Sequence, residues 1–225
     1  MDYKILYKDA FPIIEADLVS GETIKAESDA MVSMTNTIDL AGKLEGGVLA
    51  GFGRMLSGEK FFFQTLKAAR GNGRVMLAPA IPGSIVDVGL DGSYGLAVQK
   101  DGFLAATESV NIETKMQNIA KGFLSKEGFF ILRINGKGTV FINSYGAIHK
   151  IELADKEEII VDNGHLVAWT EYTSYKIEKA AKGWISSITS GEGLVCRFTG
   201  PGTIYIQTRN PNGFKEWIQS KLGSR

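Results

Sequence analysis

The chain has 225 residues, 44% of them hydrophobic and 22% charged, with 27 glycines, 5 prolines and a single cysteine. Lys plus Arg and Asp plus Glu number 25 each, so the chain lacks the basic footprint of a nucleic-acid or anionic-membrane binder. One thiol excludes an intramolecular disulfide framework, and no window reaches the ~18 apolar residues of a membrane helix.

The first residues, MDYKILYKDAF, are polar and mixed in charge. They have no apolar run fit for a signal peptide and too many acids for a transit peptide, so a cytoplasmic protein with no integral membrane segment is expected. Residues 28–34 (SDAMVSM) introduce a pattern that returns at 100–106 (KDGFLAA) and 162–168 (DNGHLVA). The later copies place Asp-Gly or Asn-Gly between apolar runs, a hairpin signature. Residues 40–56 have helical spacing interrupted by Gly42, Gly46, Gly47, Gly51 and Gly53. Each interior glycine costs a helix about 1 kcal/mol. This segment therefore reads as a broken helix, a loop or a face packed against another chain.

The next stretch, 57–79, is SGEKFFFQTLKAARGNGRVMLAP, and it too returns, as SKEGFFILRINGKGTVFINS at 125–144 and SGEGLVCRFTGPGTIYIQTR at 190–209. Each copy runs Ser-x-Glu, apolar strand, Gly-x-Gly, apolar strand. The Gly-x-Gly elements begin at Gly71, Gly136 and Gly200, 65 and 64 residues apart, and such a period marks a repeat architecture. Pro82-Gly83-Ser84-Ile85 and Tyr145-Gly146-Ala147-Ile148 read as tight turns that join successive units. Residues 116–124 and 177–188 have helical spacing, and 212–222 places Phe214, Trp217, Ile218 and Leu222 on one helical face. The predicted organisation is one body of three repeats (1–84, 85–150 and 151–210), each hairpin, helix, hairpin, followed by an amphipathic tail over 211–225. Pro201 between Gly200 and Gly202 predicts a type II turn shared by the three copies.

The chemistry-bearing residues are few. His149 lies in a strand pattern with Ile151 and Leu153, and His165 follows the Asn163-Gly164 pair. Two histidines without a C-x-x-C do not make a metal site. No G-x-S-x-G nucleophile pattern exists. The glycines of 46–54 lack the G-K-[ST] ending of a phosphate loop. Cys196 shares a strand face with Leu194 and Phe198 and reads as a buried, inert thiol. Glu59, Glu127 and Glu192 recur with the repeat, and local backbone hydrogen bonding is their expected role. Trp169 and Tyr172 flank Glu171, with core packing expected over ligand stacking. Lys121, Lys126, Lys137 and Lys150 are scattered among acids, so no nucleic-acid surface is expected.

The ordered set PAIPGSIVDV, GAIHKIEL, VDNGHLVAW and SGEGLVCRFTGPGTIYIQTR resembles the family of altered-inheritance-of-mitochondria protein number twenty-four, also described as tryptophan RNA-binding attenuator-like. The resemblance spans residues 1–210. It implies an all-β fold of repeated, shortened double-stranded β-helix units that trimerise into a ring. The family supplies no catalytic residues, and neither the mitochondrial role nor the attenuator's tryptophan and RNA binding carries over to a neutral chain without a presequence.

The expectation is a non-enzymatic, homotrimeric scaffold or interaction module without cofactor or metal, whose segments 40–56 and 212–222 contact other chains. The alternatives are a small-molecule binder with pockets at subunit junctions and a cupin-like enzyme, the latter disfavoured by the missing histidine cluster.

Overall fold

A computed structural model describes residues 1–8, 11–40, 63–116, 130–179 and 194–222. They are mainly β, as the repeated hairpin signals and the family resemblance imply. The first strands are β1 (Asp2–Leu6), β2 (Ile13–Leu18), β3 (Thr23–Glu27), β4 (Met31–Met34), β5 (Asp39–Leu40), β6 (Phe63–Lys67) and β7 (Gly73–Leu77). Next come β8 (Ile85–Asp91), β9 (Leu96–Gln99), β10 (Phe103–Thr107), β11 (Val110–Met116) and the long β12 (Phe130–Asn143). The last are β13 (Ile148–Leu153), β14 (Glu158–Asp162), β15 (Leu166–Thr170), β16 (Ser174–Lys179), β17 (Leu194–Thr199) and β18 (Gly202–Gln207), before the helix α1 (Pro211–Leu222). Period-two burial explains them locally: in β2, Ile14, Ala16 and Leu18 point inward while Glu15 and Asp17 face outward.

Among the described residues these strands pair antiparallel, with one isolated parallel bridge outside them. β7 lies between β2 and β4, and β18 lies between β13 and β15. β6 lies between β3 and β5, and β17 lies between β14 and β16. β12 combines both roles: its first half pairs with β9 and β11, its second with β8 and β10. Two further pairings, β3 with β10 and β9 with β15, stitch distant parts of the chain together.

This pairing revises the local expectations. The strands flanking each Gly-x-Gly do not pair with each other. β6 and β7 belong to different sheets, as do β17 and β18, while β12 runs straight through Gly136 and Gly138. The glycines mark corners between sheets rather than hairpin turns. The shared type II turn is not found either: Gly71 and Gly136 carry positive φ (124° and 108°) at the first glycine of their triplets. Asp101-Gly102 and Asn163-Gly164 sit in 3-10 turns over Lys100–Gly102 and Asn163–His165, and the strands on either side again do not pair with each other. Turn-forming dipeptides permit a change of direction, and the sheet that receives the next strand is decided by burial. Besides β1 with β2, the chain neighbours that pair are β5 with β6, β11 with β12 and β16 with β17, across the stretches expected to be helical. Leu40, Met116 and Ile177–Lys179 are in strands; the rest of 40–56, 116–124 and 177–188, with Glu59, Glu127 and Glu192, lies outside the described residues.

Among the described residues three apolar cores lie along the chain, each completed by neighbouring strands. Ile14, Ile24, Leu66 and Leu77 pack with Leu104 and Phe141. Leu96, Phe103, Leu132 and Val140 pack with Val167 and Tyr205. Trp169, Cys196, Phe198 and Ile204 pack with Ala97 and Ile131. Burying apolar surface at ~25 cal/mol per Å² is the main stabilising term, and here it is shared across the stitches β3–β10 and β9–β15. The predicted junctions do open new strands at Ile85 and Ile148, and they touch: Gly83 bridges Gly146, whose N–H donates to the Pro82 carbonyl at 3.0 Å. A Cβ on Gly83 would collide with the Ser144 carbonyl.

Candidate functional site

The three glycine corners share one side-chain device. Thr35, Thr107 and Thr170 each follow or end a strand leaving a bulge, and each hydroxyl accepts the backbone N–H just after a Gly-x-Gly. Arg74 N donates to Thr35 Oγ1 at 3.1 Å, Thr139 N to Thr107 Oγ1 at 3.0 Å, and Thr203 N to Thr170 Oγ1 at 3.1 Å. A Cβ on the preceding glycine would meet that hydroxyl, at 2.6 Å for Gly73 and 3.0 Å for Gly202, and more closely still for Gly138. Sequence reading missed the threonines because its third copy was aligned one residue early. Phe103 and Leu166 are the matching first strand residues, opposite Ile142 and Ile206, so a threonine closing each apolar run, followed by glutamate in the second and third copies, is the missed signal.

Beside the Thr35 corner lies an open cleft of about 580 Å³, lined by Asp2, Asp17, Thr35, Asn72 and Arg74 among others. Arg74 is already neutralised. Its Nε and Nη2 donate to the two Asp17 carboxylate oxygens at 2.7 and 3.0 Å, and Glu15 lies 3.2 Å away. The guanidinium holds the Asp17 carboxyl below its ordinary range. A cation matched by two carboxylates does not recruit an anion, so the cleft is polar and electrostatically balanced.

The residues singled out for chemistry are dispersed. His149 is exposed on β13, while His165 Nδ1 lies 2.7 Å from the Gln207 carbonyl oxygen. Among the described residues no cluster of His, Cys, Asp and Glu could hold a metal, and no helix is long and apolar enough to cross a membrane. Trp169 is fully buried, with Tyr175 and Phe198 ring centroids at 4.9 and 5.5 Å. Tyr172 is exposed and meets Tyr94 edge-on at 6.4 Å, and Glu171 pairs with Arg133 at 2.7 Å. The tail is helical as predicted: Asn210 Oδ1 accepts the Asn212 N–H at 2.9 Å ahead of Pro211–Leu222. Phe214 rests 5.5 Å from the Tyr145 ring and stacks on Trp217, which is 58% exposed.

Cys196 is buried, and burial pushes its thiol up to about 12 from 9.0. The native thiol is therefore expected to resist a thiol-specific reagent at pH 8, reacting only as the chain unfolds, which absorbance with a chromogenic disulfide follows directly. Because the folded state holds this proton more tightly, its contribution to stability is whole below pH 9 and is lost as pH rises toward 12.

Two of the sheet edges are apolar: among the described residues β4 pairs with β7 alone, and β14 with β17 alone. Met31, Val32 and Met34 on β4 are 36%, 59% and 37% exposed, and Ile160 on β14 is 36% exposed. An unpaired strand edge with apolar side chains is a template for another strand.

Comparison with known proteins places this architecture. The crystal structure of a Streptococcus pyogenes protein superposes with a TM-score of 0.80 at 33% identity, covering 98% of this chain and 99% of that one. An uncharacterised protein of Streptococcus pyogenes serotype M6 is 38% identical over 220 residues, 94% of this chain and 87% of that protein. Altered inheritance of mitochondria protein 24 of Yarrowia lipolytica is 27% identical over 164 residues, 70% of this chain but 51% of the yeast protein. The family model described as Mitochondrial biogenesis AIM24 matches residues 3–209, and the chain belongs to that family.

Proposed function

We propose that this protein is a non-enzymatic, cytoplasmic scaffold or interaction module that works as a homo-oligomer, a trimeric ring in the simplest case. The reading is carried by the apolar β4 and β14: among the described residues each has one partner strand, whereas their counterparts β10 and β15, and β3 and β9, gain a second through β3–β10 and β9–β15. The body is read as three units, 1–84, 85–150 and 151–210, each an attenuator-like, shortened double-stranded β-helix, with 211–225 as a separate tail. In support, β7, the second half of β12 and β18 take equivalent partners, as do β6, the first half of β12 and β17. A ring of identical surfaces gains avidity from weak contacts without any reacting group. The non-catalytic reading is supported by a buried thiol, an Arg74 matched by carboxylates and a His165 tied to backbone.

Native mass spectrometry of gently purified protein tests this. A multimer of bare chains is expected, and a single-chain mass at micromolar concentration would sink the reading. A second reading, a small-molecule binder at subunit junctions, rests on the cleft beside Thr35, at the end of the open β4 edge. It predicts a multimer of fixed extra mass and a thermal shift with one metabolite by linkage.

A further inference from the structure

We propose that Asn212 is a site of spontaneous chemical modification. Its side chain closes on the Gly213 amide, loses ammonia and reopens as isoaspartate, which frees the helical tail α1 from the body. The chemistry needs only this chain and water, whatever its assembly.

Asn-Gly is the dipeptide suited to this reaction, because glycine has no Cβ to shield its amide nitrogen from the preceding side chain. The chain has four such pairs, beginning at Asn72, Asn135, Asn163 and Asn212. The fold restrains three of them. Asn72 Oδ1 accepts the Ser20 N–H at 2.9 Å, and its backbone carbonyl accepts the Thr37 hydroxyl at 2.9 Å. Asn163 Oδ1 accepts from Gln99 Nε2 at 3.0 Å, while the Gly164 N–H is already given to Asp162 Oδ1 at 2.8 Å. Asn135 lies inside the ladder of β11 and β12, opposite Asn111, with paired residues on both sides.

Asn212 differs on each count. It is exposed, and among the described residues its carboxamide makes no hydrogen bond. The Gly213 N–H has a 3.4 Å contact to Asn210 Oδ1, longer than an ordinary hydrogen bond. The helix itself is weakly held. None of its 12 residues is buried, and Phe214 meets the Tyr145 ring at 5.5 Å. A helix of that length is marginal without tertiary packing, so its first turn opens at low cost and lets the carboxamide reach the next nitrogen. Asn210 cannot react in this way, because Pro211 has no N–H to lose.

The Gly213 nitrogen gives up its proton and bonds to Asn212 Cγ. The Cγ–Nδ2 bond breaks, and ammonia leaves carrying that proton. Water then opens the cyclic imide. Attack at Cγ leaves aspartate, whereas attack at the backbone carbonyl leaves isoaspartate, with the main chain running through Cβ and Cγ. Aspartate restores the helix and adds a favourable negative charge to its first turn. Isoaspartate adds a main-chain carbon between Asn210 and Phe214, whose backbone N–H and carbonyl now meet at 3.1 Å. That turn cannot re-form as it was, and Phe214 leaves Tyr145.

The test incubates the purified full chain in mildly alkaline buffer, native and in urea. Trypsin then releases the peptide NPNGFK, and mass spectrometry with isoaspartyl methyltransferase labelling follows its conversion. In the native protein Asn212 is expected to convert first, with Asn72, Asn135 and Asn163 reaching a comparable rate in urea alone. Native conversion at any of those three as fast as at Asn212 would overturn the proposal. So would an Asn212 that is altered in urea and unaltered in the native protein. In Gly213→Ala the new Cβ meets Asn210 Cβ at 3.9 Å, an ordinary contact. This variant is expected to keep its circular dichroism and lose most of the conversion; undiminished conversion counts against ring closure on that nitrogen. Release of α1 is read by brief trypsin treatment. Isoaspartyl chains are expected to be cut after Lys215 and Lys221 sooner than fresh protein, and Asn212→Asp chains at the parent's rate. Equal cleavage of isoaspartyl and fresh chains would overturn the release.

Discussion

Valine in place of Gly202 is expected to destabilise the fold by about 3 kcal/mol, from overpacking of ~1–3 kcal/mol and a disturbed buried hydrogen bond of similar size. The cause lies in the neighbours more than in the turn. A Cβ at residue 202 would overlap the Thr173 hydroxyl, come within 2.9 Å of Thr173 Cβ and reach 3.0 Å from Thr170 Oγ1. Those hydroxyls are bonded to each other at 2.7 Å in a buried pair, and Thr170 also accepts the Thr203 N–H. The side chain must therefore displace a satisfied polar pair. Urea denaturation measures the loss. Pairing Gly202→Ala with Thr173→Ala in a double-mutant cycle should show favourable coupling, because the second change removes the atom nearest the new methyl. Equal unfolding midpoints for parent and Gly202→Val would mean the corner relaxes freely and would remove the steric account.

Trp169→Ala should cost about 3–5 kcal/mol, the range for emptying a large aromatic from a packed core. Trp169 is fully buried on β15 against Tyr175 and Phe198. Its backbone stands opposite Ala97 of β9, so the void opens in the core and beside the stitch joining β9 to β15. Thermal unfolding followed by tryptophan-independent far-ultraviolet signals reports the change, with Trp169→Phe expected to recover most of it. A loss below about 1 kcal/mol, the level of a surface change, would place this residue outside the core.

Some strand positions were legible because they depend on local alternation: Leu194, Cys196 and Phe198 share one strand face from their spacing alone. Partners were not legible. Gly-x-Gly says that the backbone must bend or be approached closely, but an Asn72, Lys137 or Pro201 between glycines does not say whether the next strand folds back or crosses to another sheet. Residues 162–168 were aligned by the Asn163-Gly164 dipeptide, yet the 3-10 turn extends through His165. Matching glycines rather than strand starts shifted the whole copy by one, which hid Thr170. Cys196 was legible as a buried thiol, and the helical tail as an amphipathic segment, since both follow from residue type and periodicity. The vacancy of β4 was not: Met31, Val32 and Met34 look as apolar as Phe103 and Leu104, and only the fold tells which of these finds a cover.

The stitches also set a timetable for synthesis. Lys25 on β3 donates from Nζ to the carbonyls of Glu108 and Val110, 83 and 85 residues onward. While the ribosome is still making the second third of the chain, the first third holds a finished strand whose neighbour does not yet exist. The nascent protein must keep that edge from other nascent chains until β10 emerges, and the same wait recurs for β9 until β15 is made. Pairing across such separations is slow to close, and exposed strand edges in partly made chains favour misassembly. Rapid overproduction is thus a condition under which this sequence is driven toward aggregates, while slower translation or lower temperature gives each edge time to meet its own downstream strand.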